Sequence, residues 1–187
     1  MRTPVPVVLE SPYVRLEPLA EQHVTDLLAA AGDDRIWTWL PTTQPTTEAE
    51  IRAHRTRHPG LPWAVVVDGR AAGSTSYLDV DLTVDGLEIG FTWYRPDLWA
   101  TKVNSSCKLL LLAHAFDDLG AQRVTLKTDA LNTRSQAAIC KLGASYDGTL
   151  RHNRRRPDGT VRDTAYFSLL VAEWPAVRER LEERLSS

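Results

Sequence analysis

The stretch from Leu87 to Thr128 constrains the fold more than any other part of the chain. Leu87, Ile89, Phe91 and Trp93 alternate with Glu88, Gly90, Thr92 and Tyr94, and period-two alternation marks a strand with one face toward a core. On that reading the four apolar residues share one face, and Glu88 stands on the other, turned to a cleft or to solvent. After Arg95-Pro96-Asp97, the residues from about Val103 to Leu119 have helical spacing and stop at Gly120; Val124 and Leu126 then alternate with polar neighbours from Arg123 to Thr128. A strand, a helix and a second strand in series predict a parallel pair joined by a right-handed crossover.

Around this unit the chain reads as further strands and helices, an α/β (α+β) pattern. Pro62 to Asp68, Ala72 to Val80 and Leu87 to Tyr94 form an antiparallel meander, with Asp68-Gly69 and Asp85-Gly86 supplying the turns. Upstream, Tyr13 to Pro18 alternates as a short strand and Glu21 to Ala31 has helical spacing before Gly32. Thr46, Thr47 and Glu50 open a second helix ending near His58-Pro59-Gly60. Trp37 and Trp39 fall in the irregular segment between these helices, beside a pocket or packed. Downstream, Asn132 caps a helix that runs to about Leu142 and stops at Gly143. Strands near Tyr146 to Arg155 and Val161 to Leu170 flank Pro157-Asp158-Gly159, and Glu173 to Arg184 closes the chain as an amphipathic helix. With no repeat, low-complexity tract or long linker in 187 residues, a single domain over 1–187 is expected.

Composition removes several function classes. Twenty-two Lys and Arg against 24 Asp and Glu give a net charge of -2, which disfavours a nucleic-acid partner. The longest apolar run, Leu109 to Leu112, is far short of the roughly 20 residues that span a bilayer, and the N-terminus lacks a basic-then-apolar leader, so a cytoplasmic chain with no membrane partner is expected. Cys107 and Cys140 lack metal or redox spacing and read as reduced packing residues; His54 and His58 lack a third ligand and read as a solvated helix face, so no metal is expected. No feature sets an oligomeric state. The run Arg151-His-Asn-Arg-Arg-Arg156 reads as a solvated hairpin, or as an anion-binding rim for a carrier protein, RNA or an acidic substrate.

The amides that open the helix near Val103 could receive a phosphate, although every helix has such an end. More specific is the set Tyr13-Val-Arg-Leu-Glu-Pro-Leu19, Glu88-Ile-Gly-Phe-Thr-Trp93, Asn104 to Phe116, Asp129-Ala-Leu-Asn-Thr-Arg-Ser135 with Ala138-Ile139 and Leu142-Gly143-Ala144, and Asp158-Gly-Thr-Val-Arg-Asp163. Together these resemble the GNAT superfamily of N-acyltransferases, in the branch that includes ribosomal-protein N-terminal acetyltransferases. The resemblance implies a mixed, mostly antiparallel sheet flanked by helices, with two splayed parallel strands admitting the pantetheine arm of an acyl thioester. It implies acetyl-CoA as default donor and a small-molecule amine or a protein N-terminus as acceptor, without a metal.

In that family the pyrophosphate rests on a loop of pattern Gln/Arg-x-x-Gly-x-Gly/Ala. This chain has Trp99-Ala-Thr-Lys-Val-Asn104 instead. Lys102 at the first glycine position either blocks the nest or supplies a charged phosphate contact together with Thr101, Val103 and Asn104. An acyl carrier protein, whose phosphopantetheine brings a single phosphate, is therefore an alternative donor, and a binding module without turnover an alternative function. By the same resemblance Glu88 takes the amine's proton through water, Ser135 protonates the leaving thiolate, Asn132 caps its helix and contacts the pantetheine arm, and backbone amides at Thr92, Trp93 and Tyr94 hold the thioester.

Overall fold

The computed structural model describes residues 1–57 and 60–186, with the side chains of 54–57 excepted. The expected end of the second helix at His58-Pro59, and the side chains of His54 and His58, lie outside the described residues. One sheet runs through the molecule. Its strands are β1 (Leu9–Glu10), β2 (Arg15–Pro18), β3 (Gly60–Val67), β4 (Arg70–Asp81), β5 (Gly86–Tyr94), β6 (Arg123–Asp129), β7 (Ser145–Arg155) and β8 (Val161–Leu170). Their order is β1-β2-β3-β4-β5-β6-β8-β7, and β5–β6 is the parallel pair among otherwise antiparallel neighbours. The helices are α1 (Val24–Ala30), α2 (Glu48–Arg57), α3 (Lys102–Ala113), α4 (Thr133–Leu142) and α5 (Trp174–Ser186), and α3 continues through a π turn at His114–Asp118. As the sequence predicts, α3 connects the two parallel strands.

Local chemistry fixes several of these boundaries. β3 and β4 join through Asp68 and Gly69, both with positive φ, the backbone of a two-residue turn whose twist matches the strands it links. Asn132 caps α4 by accepting the Ser135 N–H at 3.0 Å, and Gly143 ends it with φ 107°, a conformation that glycine adopts without a Cβ clash. The two-residue β1 carries no periodicity and is set by its pairing with β2.

Each face of the sheet buries its own core. Leu87, Ile89, Val124, Leu126, Phe167 and Leu169 pack with Cys107, Leu111 and Leu112 of α3 and with Val177 and Leu181 of α5. Ala64, Ala71 and Trp93 pack on the other face with Val24 and Leu27 of α1 and Ile51 of α2. Complete burial of a side chain such as Leu111 contributes about 1.5–3 kcal/mol. The expectation that Leu87, Ile89, Phe91 and Trp93 share a face is corrected here. Ser74 pairs with Trp93 and Ser76 with Gly90, so Thr75 of β4 opposes both Phe91 and Thr92 of β5, and Phe91 takes φ 49°. This bulge adds one residue and shifts the parity of the strand. Leu87 and Ile89 therefore face α3, Trp93 faces α1, and Tyr94 returns to the α3 side.

Candidate active site

The ladder between β5 and β6 holds for three registered pairs, Gly86↔Arg123, Leu87↔Val124 and Glu88↔Thr125, and then ends. β6 stays paired with β8 from Arg123 to Asp129, while the bulge bends β5 away. The strands diverge around a cleft of about 760 Å³, and the start of α3 and the first turns of α4 line its sides. Backbone groups on the inner edges beyond Glu88 and Thr125 have lost their ladder partners and are available to a ligand.

Glu88 sits at the fork. It is buried at 7% exposure, and one carboxylate oxygen is 2.7 Å from Lys127 Nζ, which is also 2.7 Å from Asp79 Oδ2. Burial raises the Glu88 carboxyl above its ordinary range even though Lys127 opposes the shift, whereas the hydrogen bond from Lys127 holds Asp79 low. A buried carboxylate with an elevated pKa facing a cleft is suited to accept a proton near neutrality. Gly90 makes room for it: a Cβ there would lie 2.5 Å from Glu88 Oε1. Across the cleft, desolvation lowers the Lys108 ammonium of α3 to about 8.

At the other end, Thr101 caps α3 by accepting the Val103 N–H at 3.3 Å, and its hydroxyl donates to the Leu98 carbonyl at 2.7 Å. Asn104 faces the cleft and accepts a hydrogen bond from the Tyr94 hydroxyl at 3.2 Å. Trp99 donates to the Tyr94 carbonyl, and its ring lies beneath the guanidinium of Arg134, 4.1 Å from the centroid, with Arg35 at 5.5 Å.

Eight of the ten candidates from the sequence converge on the cleft: Glu88, Thr92, Trp93, Tyr94, Thr101, Asn104, Asn132 and Ser135. Two side chains do not. Val103 is in the core. Lys102 donates to the Leu185 carbonyl at 2.8 Å and lies over the Tyr13 ring, so its ammonium neither fills nor rims the cleft at the start of α3. The C-terminus of α5 is an alternative partner with a physical basis, since unpaired terminal carbonyls attract a cation. Cys107 is buried and its thiol is pushed up to about 12 by burial. Cys140, expected to be packed, is exposed because it lies on the outer side of α4. Trp37 packs against Trp93, and Trp39 borders the cleft.

Sequence reasoning did not single out Asp79, Lys108, Lys127 and Arg162, all of which line the cleft, whereas Arg154, also on the cleft wall, belongs to the arginine run read as a possible anion-binding rim. Period two could have found Lys127, which falls on the face of β6 opposite Val124 and Leu126. The arginine run divides by function. Arg156 makes a two-pronged ion pair with the buried Asp129, at 2.8 and 3.1 Å, while Arg154 borders the cleft.

Comparison with known proteins agrees with this architecture. The family model for the acetyltransferase (GNAT) domain matches residues 14–145. A T. thermophilus structure described as a "putative acetyltransferase" is 38% identical, with a TM-score of 0.90 over 98% of this chain and 99% of its own. The Bacillus subtilis protein named "Putative ribosomal N-acetyltransferase YdaF" is 24% identical over 168 residues, 85% of this chain and 90% of its own. Mycobacterium smegmatis RimJ, solved in complex with CoA-disulfide, shares the fold at 20% identity, with a TM-score of 0.77 over 96% of this chain and 93% of its own. The splayed parallel strands, the helix that joins them and the match across most of the sequence make this chain a member of the GNAT family of N-acyltransferases.

Proposed function

We propose that the protein transfers an acetyl group from acetyl-CoA to an amine by direct attack within a ternary complex. The observation that carries this reading is the end of the β5–β6 ladder at Glu88↔Thr125. An extended pantetheine arm has amides that can bond the freed strand edge, and the N-terminal amides of α3 lie where a pyrophosphate would follow. The CoA-disulfide complex of the RimJ relative supports the choice of donor. The outward turn of Lys102 favours CoA over a carrier-protein phosphopantetheine, because that side chain does not crowd the phosphate end.

In the reaction, an acceptor ammonium gives its proton to Glu88, directly or through water. The nitrogen lone pair attacks the thioester carbon, and the carbon–sulfur bond breaks as the amide forms. Ser135, in the first turn of α4 on the cleft wall, passes its hydroxyl proton to the departing thiolate and regains one from the second proton that the nitrogen sheds as the adduct collapses, while Asn132 holds that turn in place. Backbone amides of Thr92 to Tyr94 polarise the thioester carbonyl. Lys127 favours the ionised form of Glu88 against the effect of burial. A protein N-terminus is the acceptor we favour, since the Bacillus relative is named as a ribosomal N-acetyltransferase, and a small amine is the alternative.

The test is a calorimetric titration with CoA, together with amine-dependent consumption of acetyl-CoA followed by thiol release and product mass. Saturable CoA binding with one acetyl group gained per thiol released is expected. Consumption of an acyl carrier protein without CoA binding would replace the donor, and inactivity of both donors with every amine would overturn the reading.

A further inference from the structure

Two arginines at the β6–β8–β7 side of the cleft are arranged at a cost that the fold does not explain. Arg154 and Arg162 are registered partners across the β7–β8 ladder, and like charges placed directly opposite one another destabilise a sheet. Arg162 is also buried, at 8% exposure. Its Nε donates to Thr164 Oγ1 at 3.1 Å. Among the described residues its terminal nitrogens have no protein acceptor within hydrogen-bond distance, and the Arg154 guanidinium makes no ion pair or hydrogen bond, although its charge acts on Asp79.

The surrounding carboxylates are occupied elsewhere. Asp129 is held by Arg156 and the Leu131 N–H, Asp163 accepts from the His152 N–H, and Glu88 and Asp79 both engage Lys127. Burial lowers the Arg162 pKa below the ordinary arginine value; Asp129 and Glu88 oppose that shift, and repulsion from Arg154 and Arg156 adds to it. Both arginines nevertheless line the cleft that holds Glu88. A guanidinium whose free donors open onto the cleft, beside a second guanidinium, is a fork for an anion, which would relieve the repulsion between them.

We infer that Arg154 and Arg162 form an anion-recognition site at the acceptor end of the cleft, so that the acceptor carries a carboxylate or phosphate in addition to its amine. This rests on the acyltransfer reading above and adds a substrate class to it. Glu88 then meets the amine while the two guanidiniums take the anion, which fixes the nitrogen in line with the thioester.

The test uses the full chain with acetyl-CoA and acceptors matched except for the anion. These are β-alanine against β-alaninamide, O-phosphoethanolamine against ethanolamine, and an alanyl-aspartyl peptide amide against its alanyl-asparaginyl counterpart. The first and third pairs probe a carboxylate on a small molecule or a peptide, and the second probes a phosphate. In at least one pair the anionic member is expected to be preferred tenfold or more in kcat/KM, mostly through KM. Arg162→Gln should bring that ratio toward one. Arg154→Gln, at an exposed site, gives the same comparison if the buried substitution fails to fold. Equal use of both members in every pair, or equal losses for both members in the variants, would overturn the inference.

A second arm needs no turnover. Inorganic phosphate and glutarate are titrated into CoA-saturated protein while the Arg162 Nε–Hε signal, identified by its loss in Arg162→Lys, is followed by NMR. A saturable shift that is weakened by Arg154→Gln is expected; no shift with either anion would refute the site. Absence of acetyl transfer with this shift present would count against the acyltransfer reading and leave the anion site standing.

Discussion

Replacing Lys108 by methionine should stabilise the protein near neutral pH, by an amount that depends on pH in a defined way. The ammonium lies on the cleft wall, and desolvation lowers its pKa from 10.5 to about 8. At about 1.4 kcal/mol per unit, this corresponds to about 3 kcal/mol of penalty carried by the folded state at pH 7, where the lysine is charged in both states. Between pH 8 and 10.5 the unfolded chain binds more protons at this group than the folded one, so the natural protein gains stability as pH rises and the penalty shrinks. Methionine keeps the length and apolar stem of the side chain and removes the charge. Urea unfolding at pH 7 should therefore show Lys108→Met more stable by up to about 3 kcal/mol, and at pH 9.5 by only about 1 kcal/mol. An equal difference at both pH values, or a variant less stable at pH 7, would refute the assignment of that cost to the charge.

Four further outcomes follow from the site. Glu88→Gln should lower turnover by roughly 10² or more with CoA affinity preserved, and the acid limb of the natural pH–rate profile, displaced upward from the ordinary carboxylate range, should disappear. Gly90→Ala should reduce turnover and also lower stability, because the new methyl would meet Glu88 Oε1 and Leu78 and displace a buried carboxylate from its ion pair with Lys127; thermal melting and steady-state rates check both parts. Asn132→Ala should cost about 1 kcal/mol in unfolding experiments as a lost helix cap, whereas Ser135→Ala keeps that cap, which uses the Ser135 backbone N–H, and should lower turnover more than stability. Lys102→Met should lose about 1 kcal/mol of stability, since the Tyr13 hydroxyl still donates to the same Leu185 carbonyl, and calorimetry should find its CoA affinity within about twofold of the natural protein.

The parts of the fold set by local chemistry were legible in the sequence. Alternation gave β5 and β6, and helical spacing with the Gly120 stop gave α3 between them. Asn132 and Gly143 marked the ends of α4, and Asp68-Gly69 marked the β3–β4 turn, all before any partner strand was known. Interactions set by distant partners were not legible. The bulge at Phe91 and Thr92 exists because Thr75 opposes two residues. Lys102 finds Leu185, 83 positions away, and Arg156 finds Asp129 across the sheet. The Arg154↔Arg162 pair depends on the register of β7 and β8, which shifts between Leu150 and Arg154 and has no signature in either strand alone. The wall of the candidate site that comes from β5, α3 and α4 could thus be read in advance, whereas of the charged wall built by pairing across β6, β8 and β7 only the arginine run was visible, without its partners.

Amide hydrogen exchange with and without CoA tests the central claim most directly, because it reports where the donor lies without requiring an acceptor. The account predicts that CoA slows exchange in two segments, residues 89–94 on the freed edge of β5 and residues 101–105 at the start of α3, while β2 and β3 are unchanged. Protection confined to other elements, or none at CoA concentrations that saturate calorimetric binding, would contradict the assignment of the splayed β5–β6 cleft as the acyl-donor site.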